Sequence, residues 1–310
     1  MHHKLKQVNL FVPGTAKSGT SSLHELLNLH PDINMSKNKE PHFFSSKGET
    51  FNSEIQVDNY LQNFDLSKSY IYRGESSTGY FYFENFKKNF IEPDNKDAKF
   101  ILIFRNPIDR TISHYNYLKS LGSENQDLRS AILNEKDKIP SPNDILPERN
   151  MKNYYQYSLY GKWFKLFCEH FNKENIKIIL FEELKAEPLK TINSCFEFLG
   201  LKHLEEISET KLNKTVKIRF PKIYRKIRIF AFNKSKPREV VKHLLPVKFR
   251  RKYKKHLTEL ILGILKTNKT LPGATIEQRE WLKQLYSDDV EQLKTQTGHS
   301  FEQWTEFKSQ

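Results

Sequence analysis

Lys17 lies inside a hydroxyl-rich loop between two glycines, a combination suited to holding an anion. The stretch from Val8 to Ser22 reads VNLFVPGTAKSGTSS. Gly14 and Gly19 let the backbone approach a ligand closely, and the amides of Ser18 to Ser22 can point at it. Lys17 adds a full charge, and Thr20, Ser21 and Ser22 add hydroxyl donors. The candidate cradle therefore comprises Gly14, Thr15, Ala16, Lys17, Ser18, Gly19, Thr20, Ser21 and Ser22. Phosphate-like groups are held where a strand passes through a glycine-containing turn into a helix N-terminus. An NTPase P-loop needs its lysine directly after the second glycine. Here Thr20 stands in that place and the lysine has moved into the loop. An ordinary tight strand-to-helix turn is the plain alternative.

A second stretch, Lys99 to Tyr117, reads KFILIFRNPIDRTISHYNY. Phe100 to Phe104 is a continuous apolar run, as expected of a parallel strand buried on both faces. Arg105 stands at its carboxyl end, and Pro107 is placed to open a helix. Ligands of open α/β sheets bind at the carboxyl ends of strands, so Arg105 and Lys17 should share one edge. Ser113, about two turns along the helix, offers a hydroxyl on the same side. An arginine fork with a hydroxyl suits a second phosphate. A surface ion pair is the plain alternative for Arg105.

The elements that must position these groups can be read coarsely. Val8 to Val12 predicts a buried strand and Ser21 to Leu29 a helix. Tyr70 to Arg73 reads as a short strand, and Ile176 to Phe181 as another, followed by the acidic pair Glu182 and Glu183. Tyr154 to Phe171 carries aromatic residues at helical spacing and reads as core. Pro188 to Leu201 predicts an amphipathic helix that starts at proline and stops at Gly200. Residues 122–153 are polar and proline-containing, and read as a long loop or lid. Leu271 to Trp304 carries a helical stripe through Leu282, Leu285, Tyr286, Val290 and Leu293.

With these stretches in hand, the chain resembles the sulfotransferases that use 3′-phosphoadenosine-5′-phosphosulfate. Within them it is most similar to the carbohydrate branch, which includes the heparan sulfate enzymes and bacterial relatives. KEPHFF at Lys39 to Phe44 and GESSTGYF at Gly74 to Phe81 are two further matching motifs. The resemblance implies that Gly14 to Ser22 binds the 5′-phosphosulfate and that Arg105 and Ser113 hold the 3′-phosphate. It implies Glu40 as the base, with Lys17 stabilising the leaving group and no metal required.

Sulfuryl transfer needs a base for the acceptor proton and a cation for the departing phosphate oxygen. Burial beside Phe43 and Phe44 is expected to raise the Glu40 pKa toward a useful value. His42 is the other candidate base, because a neutral imidazole suits such work near pH 7. A surface pair of Glu40 with Lys39 and an ordinary loop histidine are the bland readings of the same residues. Many heparan sulfate enzymes carry a lysine where this chain has Ser76, so Glu75 and Ser76 are expected to face the acceptor without a cationic contact. The RKGxxGDWK loop of the enzymes that sulfate phenols and steroids is absent. The resemblance also implies a structural role for the acidic pair Glu182 and Glu183.

The expected fold is α/β: a single P-loop-like domain over residues 1–310, with a mostly parallel sheet, helices on both faces and a helical C-terminal part. At 310 residues the chain is long enough for one full core. Cys168 and Cys195 are the only cysteines, which excludes a disulfide framework and suggests no metal site. The net charge of +14 is concentrated. Seventeen of the 51 Lys and Arg residues fall between Lys214 and Lys255, where Glu239 is the sole acid. Within that segment Phe220, Ile223, Tyr224, Ile227, Phe230 and Ala231 share a helical face. Such a helix lies on an anionic membrane, grips a polyanionic glycan, or packs on the core with a solvated basic face. A nucleic-acid partner is not expected, since no recognised binding motif accompanies the patch.

A carbohydrate or glycolipid acceptor follows from the resemblance. No apolar run reaches membrane-spanning length. The expectation is a cytoplasmic enzyme, peripheral at the inner membrane face, with a trimmed Golgi ectodomain as the alternative. Two rivals from other classes are a P-loop kinase or NTPase, and a non-catalytic polyanion- or membrane-binding protein.

Overall fold

Short runs of Leu, Ile, Val and Phe form the strands, and each is followed by a polar turn into a helix. The computed structural model describes residues 2–45, 53–91, 97–141, 151–207, 217–218, 266–267 and 273–308. The first half contains α1 (His2–Leu5), β1 (Leu10–Val12), α2 (Thr20–Leu27), β2 (Ile33–Met35), α3 (Glu54–Leu61), β3 (Tyr72–Ser76), α4 (Glu84–Ile91), β4 (Lys99–Phe104) and α5 (Pro107–Ser120). The second half contains α6 (Leu128–Leu133), α7 (Tyr160–Cys168), β5 (Ile176–Leu180), α8 (Phe181–Ala186), α9 (Pro188–Phe198), the two-residue strands β6 (Lys217–Ile218) and β7 (Lys266–Thr267), and α10 (Ile276–Thr297).

β1 to β5 form one parallel sheet in the order β2-β3-β1-β4-β5. The chain leaves β1 toward β2 and β3 on one side, then crosses to β4 on the other. The carboxyl end of β1 is therefore the switch point where such sheets bind ligands. Alternation along β4 splits the core. Phe100, Leu102 and Phe104 join an aromatic cluster with Phe11, Phe44 and Phe167. Ile101 and Ile103 join Leu10, Val12, Leu23, Leu26, Ile192 and Phe196 on the opposite face. Helices thus cover both faces of the sheet, and α10 supplies the helical C-terminal part by packing on α7 and α5.

Several boundaries differ from the reading of the sequence. The strand expected at Tyr70 to Arg73 runs from Tyr72 to Ser76, so Gly74, Glu75 and Ser76 end the strand rather than follow it. β5 stops at Leu180, and Phe181 opens α8. The described part of 122–153 is not one long loop, since it holds the helix α6. Asp127 caps α6 through its carboxylate, and Leu128, Ala131 and Ile132 are buried. Glu124 and Glu135 are also buried, accepting hydrogen bonds from Tyr154 and from the amides of Tyr155 and Gln156. Residues 142–150 and the basic face between Phe220 and Ala231 lie outside the described residues. Among the described residues, no helix is long and apolar enough to cross a membrane.

Candidate active site

β1 ends at Val12, and the turn after it is tied to β4. The Thr15 amide and hydroxyl both donate to the Ile103 carbonyl at 3.0 Å, and the Ile103 amide donates to Gly14 at 3.1 Å. The hydroxyls of Thr15 and Ser18 pair with each other at 2.7 Å, and both residues are fully buried. These two candidate ligand contacts therefore build the loop instead, because their side chains are spent on it. Gly19, at φ 90°, turns the chain into α2. The amides of Gly19, Thr20, Ser21 and Ser22 have no partner among the described residues. Neither do the hydroxyls of Thr20, Ser21 and Ser22. Open first-turn amides combined with the helix dipole favour an anion at this point.

Two cations converge on the same edge. The Arg105 guanidinium donates to the Lys17 carbonyl at 3.3 Å and rests 4.8 Å from the centre of the Phe181 ring. Its backbone is pinned by Tyr160, whose hydroxyl donates to the Arg105 carbonyl at 3.0 Å. The next residue, Asn106, caps α5, donates through its amide to Glu182, and donates through its side chain to Glu306 at 2.9 Å. Glu182 also accepts from Trp304, and Glu183 from Gln303, so both acids serve the fold.

The Lys17 ammonium lies over the Tyr117 ring. Burial lowers its pKa to about 8, helped by the charges of Arg105, Arg110 and Lys39. Burial likewise lowers Arg105. Neither cation is paired with a carboxylate among the described residues. Ser113 is four residues before Tyr117 on α5, so it shares the face that meets Lys17.

The segment carrying Glu40 sits beside this loop. The Glu40 amide donates to the Ser76 carbonyl at 2.9 Å, and Ser76 is the register partner of Val12. The Glu40 carboxylate accepts from the Thr78 amide at 2.9 Å, from Lys39 at 2.7 Å and from the Thr78 hydroxyl at 3.2 Å. His42 Nε2 is 3.2 Å from the same carboxylate. The expectation of a raised pKa is overturned. Burial pushes Glu40 up, but the hydrogen bond from His42 and the charge of Lys39 outweigh it and hold the pKa at about 2. Glu40 is therefore ionised at neutral pH.

Glu75 and Ser76 do not face an acceptor, since both are fully buried. Adjacent positions of a central strand point to opposite faces of the sheet. Glu75 enters the aromatic layer and accepts from Tyr60 and Ser77 at 2.7 Å and from Tyr80 at 3.1 Å. Ser76 turns toward α2, where its hydroxyl meets His24 Nδ1 at 2.9 Å. The sequence alone does not mark Thr78, Tyr117 or Phe181 as site residues. Thr78 lies within the quoted GESSTGYF motif and Tyr117 one turn after Ser113, so both had a local signal. Phe181 had only its place at a strand end.

The family described as sulfotransferase domain matches residues 7–263. The chain belongs to that family. This sulfotransferase domain is 23% identical over 276 residues to carbohydrate sulfotransferase 15 of Mus musculus, covering 69% of this chain and 47% of the relative. It is 25% identical over 202 residues to heparan sulfate glucosamine 3-O-sulfotransferase 5 of Homo sapiens, covering 65% of this chain and 56% of the relative. The chain thus spans about half the length of the curated relatives it matches. A solved sulfotransferase from Alicyclobacillus acidocaldarius shares the fold, with a TM-score of 0.63 and 22% identity over 96% of this chain and 98% of that one.

Proposed function

We propose that this domain transfers a sulfuryl group from 3′-phosphoadenosine-5′-phosphosulfate to a hydroxyl or amine of a carbohydrate acceptor. The observation that carries this reading is the meeting of the open α2 amides with Lys17 and Arg105 at the carboxyl ends of neighbouring strands. The amides of Gly19 to Ser22 and the Lys17 ammonium take the phosphosulfate, while Arg105 and Ser113 take the 3′-phosphate. The names of the curated relatives favour a carbohydrate acceptor.

In the transfer, an acceptor oxygen or nitrogen forms a bond to sulfur as the bond from sulfur to the bridging phosphate oxygen breaks. The electron pair leaves with that oxygen, where Lys17 offsets the developing charge. The acceptor proton goes to the Glu40–His42 pair. Glu40, held at about 2 in part by the hydrogen bond from His42, is by itself a weak base, so the imidazole, whose Nε2 lies 3.2 Å from the carboxylate, takes the proton and Glu40 orients the ring.

The test is a calorimetric titration with 3′-phosphoadenosine-5′-phosphate, with 5′-AMP and ATP as competitors and no added metal. Removing the Arg105 contact in Arg105→Ala should cost about 1.5–3 kcal/mol of that binding and leave 5′-AMP little affected. Preference for ATP, or equal binding of 3′-phosphoadenosine-5′-phosphate and 5′-AMP, rejects the reading.

A further inference from the structure

The segment that carries Glu40 and His42 holds a backbone it would not choose. Glu40 has φ 58° and His42 φ 52°, two non-glycine residues in the left-handed region within three positions. Each such residue is strained and persists only where its surroundings impose it. Three backbone amides of this segment are held from the neighbouring strand end. The Glu40 amide meets the Ser76 carbonyl, the His42 amide meets the Ser77 hydroxyl at 3.1 Å, and the Phe44 amide meets the Tyr80 hydroxyl at 3.1 Å.

Two of those acceptors are hydroxyls, and a hydroxyl can turn. It accepts from an amide reliably only if its own proton is engaged elsewhere. Both protons go to one group, because Ser77 donates to Glu75 Oε2 and Tyr80 donates to Glu75 Oε1. Tyr60 donates to the same carboxylate and stacks on Phe43 of the segment, with ring centres 4.3 Å apart. Glu75 has no cationic partner among the described residues although it is fully buried. Burying such a carboxylate is costly unless several donors compensate it.

We infer that Glu75 is a positioning residue: through Ser77, Tyr80 and Tyr60 it fixes the backbone of Glu40–Phe44 and so aims the Glu40–His42 pair. The inference rests on the sulfotransferase reading for what that pair does, and on the hydrogen bonds alone for how it is held. Glutamine in place of Glu75 has the same shape but brings an NH2 group. One of the three hydroxyls must then accept instead of donate.

The experiment, run at pH 8 where Glu75 is a carboxylate, compares the full chain with Glu75→Gln, Ser77→Ala and Tyr80→Phe, the last two keeping the buried acid in case the first fails to fold. Peptide-resolved hydrogen exchange should show residues 40–45 exchanging at least tenfold faster in each variant, with residues 8–27 unchanged. Affinity for 3′-phosphoadenosine-5′-phosphate should stay within twofold, while turnover of the phosphosulfate donor on heparan sulfate falls at least tenfold at unchanged donor KM. Unchanged exchange at 40–45 in folded variants overturns the inference, as does faster exchange spread evenly over both segments. If the parent chain binds no adenosine phosphate, the sulfotransferase reading fails, and the exchange at 40–45 still decides whether Glu75 holds the segment.

Discussion

The Lys17 ammonium lies 4.0 Å from the centre of the Tyr117 ring, so an aromatic face on α5 shelters the charge beside the Gly14–Ser22 loop. A cation on such a face gains about 0.5–2 kcal/mol, more as water is excluded. With its pKa lowered to about 8, Lys17 is charged below that pH and loses its proton above it. A bound anion favours the charged form and raises this pKa. Affinity for 3′-phosphoadenosine-5′-phosphate should therefore fall as pH rises through about 8. In Lys17→Arg, which stays protonated, the fall should vanish. Tyr117→Leu should bring it to lower pH, and Tyr117→Phe should leave it in place. Titrations between pH 7 and 9.5 check this, and a flat parent profile rejects it.

Gly19 and Phe181 leave no room for a side chain between the Gly14–Ser22 loop and the ring on which Arg105 rests. A Cβ on Gly19 would come 2.7 Å from the Phe181 ring, at a backbone φ of 90°. Gly19→Ala should lower stability by about 1–2 kcal/mol. It should also weaken binding of the adenosine bisphosphate, because Phe181 carries Arg105. Urea unfolding and a binding titration of the same sample report the two effects. Parent-like values in both would show that the loop adapts freely.

Glu75 should give the stability curve an unusual slope. Burial raises its pKa to about 7, against the pull of the Ser77, Tyr60 and Tyr80 hydroxyls. The folded chain then binds this proton more tightly than the unfolded one. Its contribution is complete below the ordinary carboxylate value of 4.5 and is lost as pH rises through 7. The size is roughly 3 kcal/mol. Glu40, held at about 2, acts with the opposite sign and loses its contribution only as pH falls from 4.5 toward 2. The gap in unfolding free energy between the parent and Glu75→Gln should be larger at pH 5 than at pH 8. An equal gap at both values refutes the assignment.

Asp289 of α10 caps α7 from outside, accepting from the amides of Gly161 and Lys162 at 2.8 Å. The residue at the start of α7, Leu159, has no capping side chain of its own. Asp289→Ala should cost about 1 kcal/mol, the usual size of a lost cap. Gly161→Ala should cost more, about 1–3 kcal/mol for overpacking. Its Cβ would come 2.4 Å from the Asp289 carbonyl oxygen and must push α10 away. Thermal melts of the two variants should rank in that order.

The sequence by itself determined the parts whose signal is local. The alternating order of strands and helices follows from short apolar runs bounded by Pro, Gly and Asn, and it implies a parallel sheet. The loop from Gly14 to Ser22 and the strand that ends just before Arg105 were legible because glycine spacing and a strand-end cation are written in consecutive residues. So was the order of the KEPHFF and GESSTGYF motifs.

Only the tertiary structure decided which side chains those motifs offer. Thr15 and Ser18 bind each other, and Glu75 and Ser76 point into opposite layers of the sheet, because strand parity sends neighbours to opposite faces. The protonation of Glu40 was likewise settled by neighbours, since Lys39, His42 and Thr78 converge on one carboxylate only when their segments fold together. Partners such as Tyr117 for Lys17, Phe181 for Arg105 and Asp289 for Gly161 lie 76 to 128 residues apart in the chain. Hydrophobic periodicity is short-ranged and assigns elements, whereas charge, burial and hydrogen bonding depend on which elements meet.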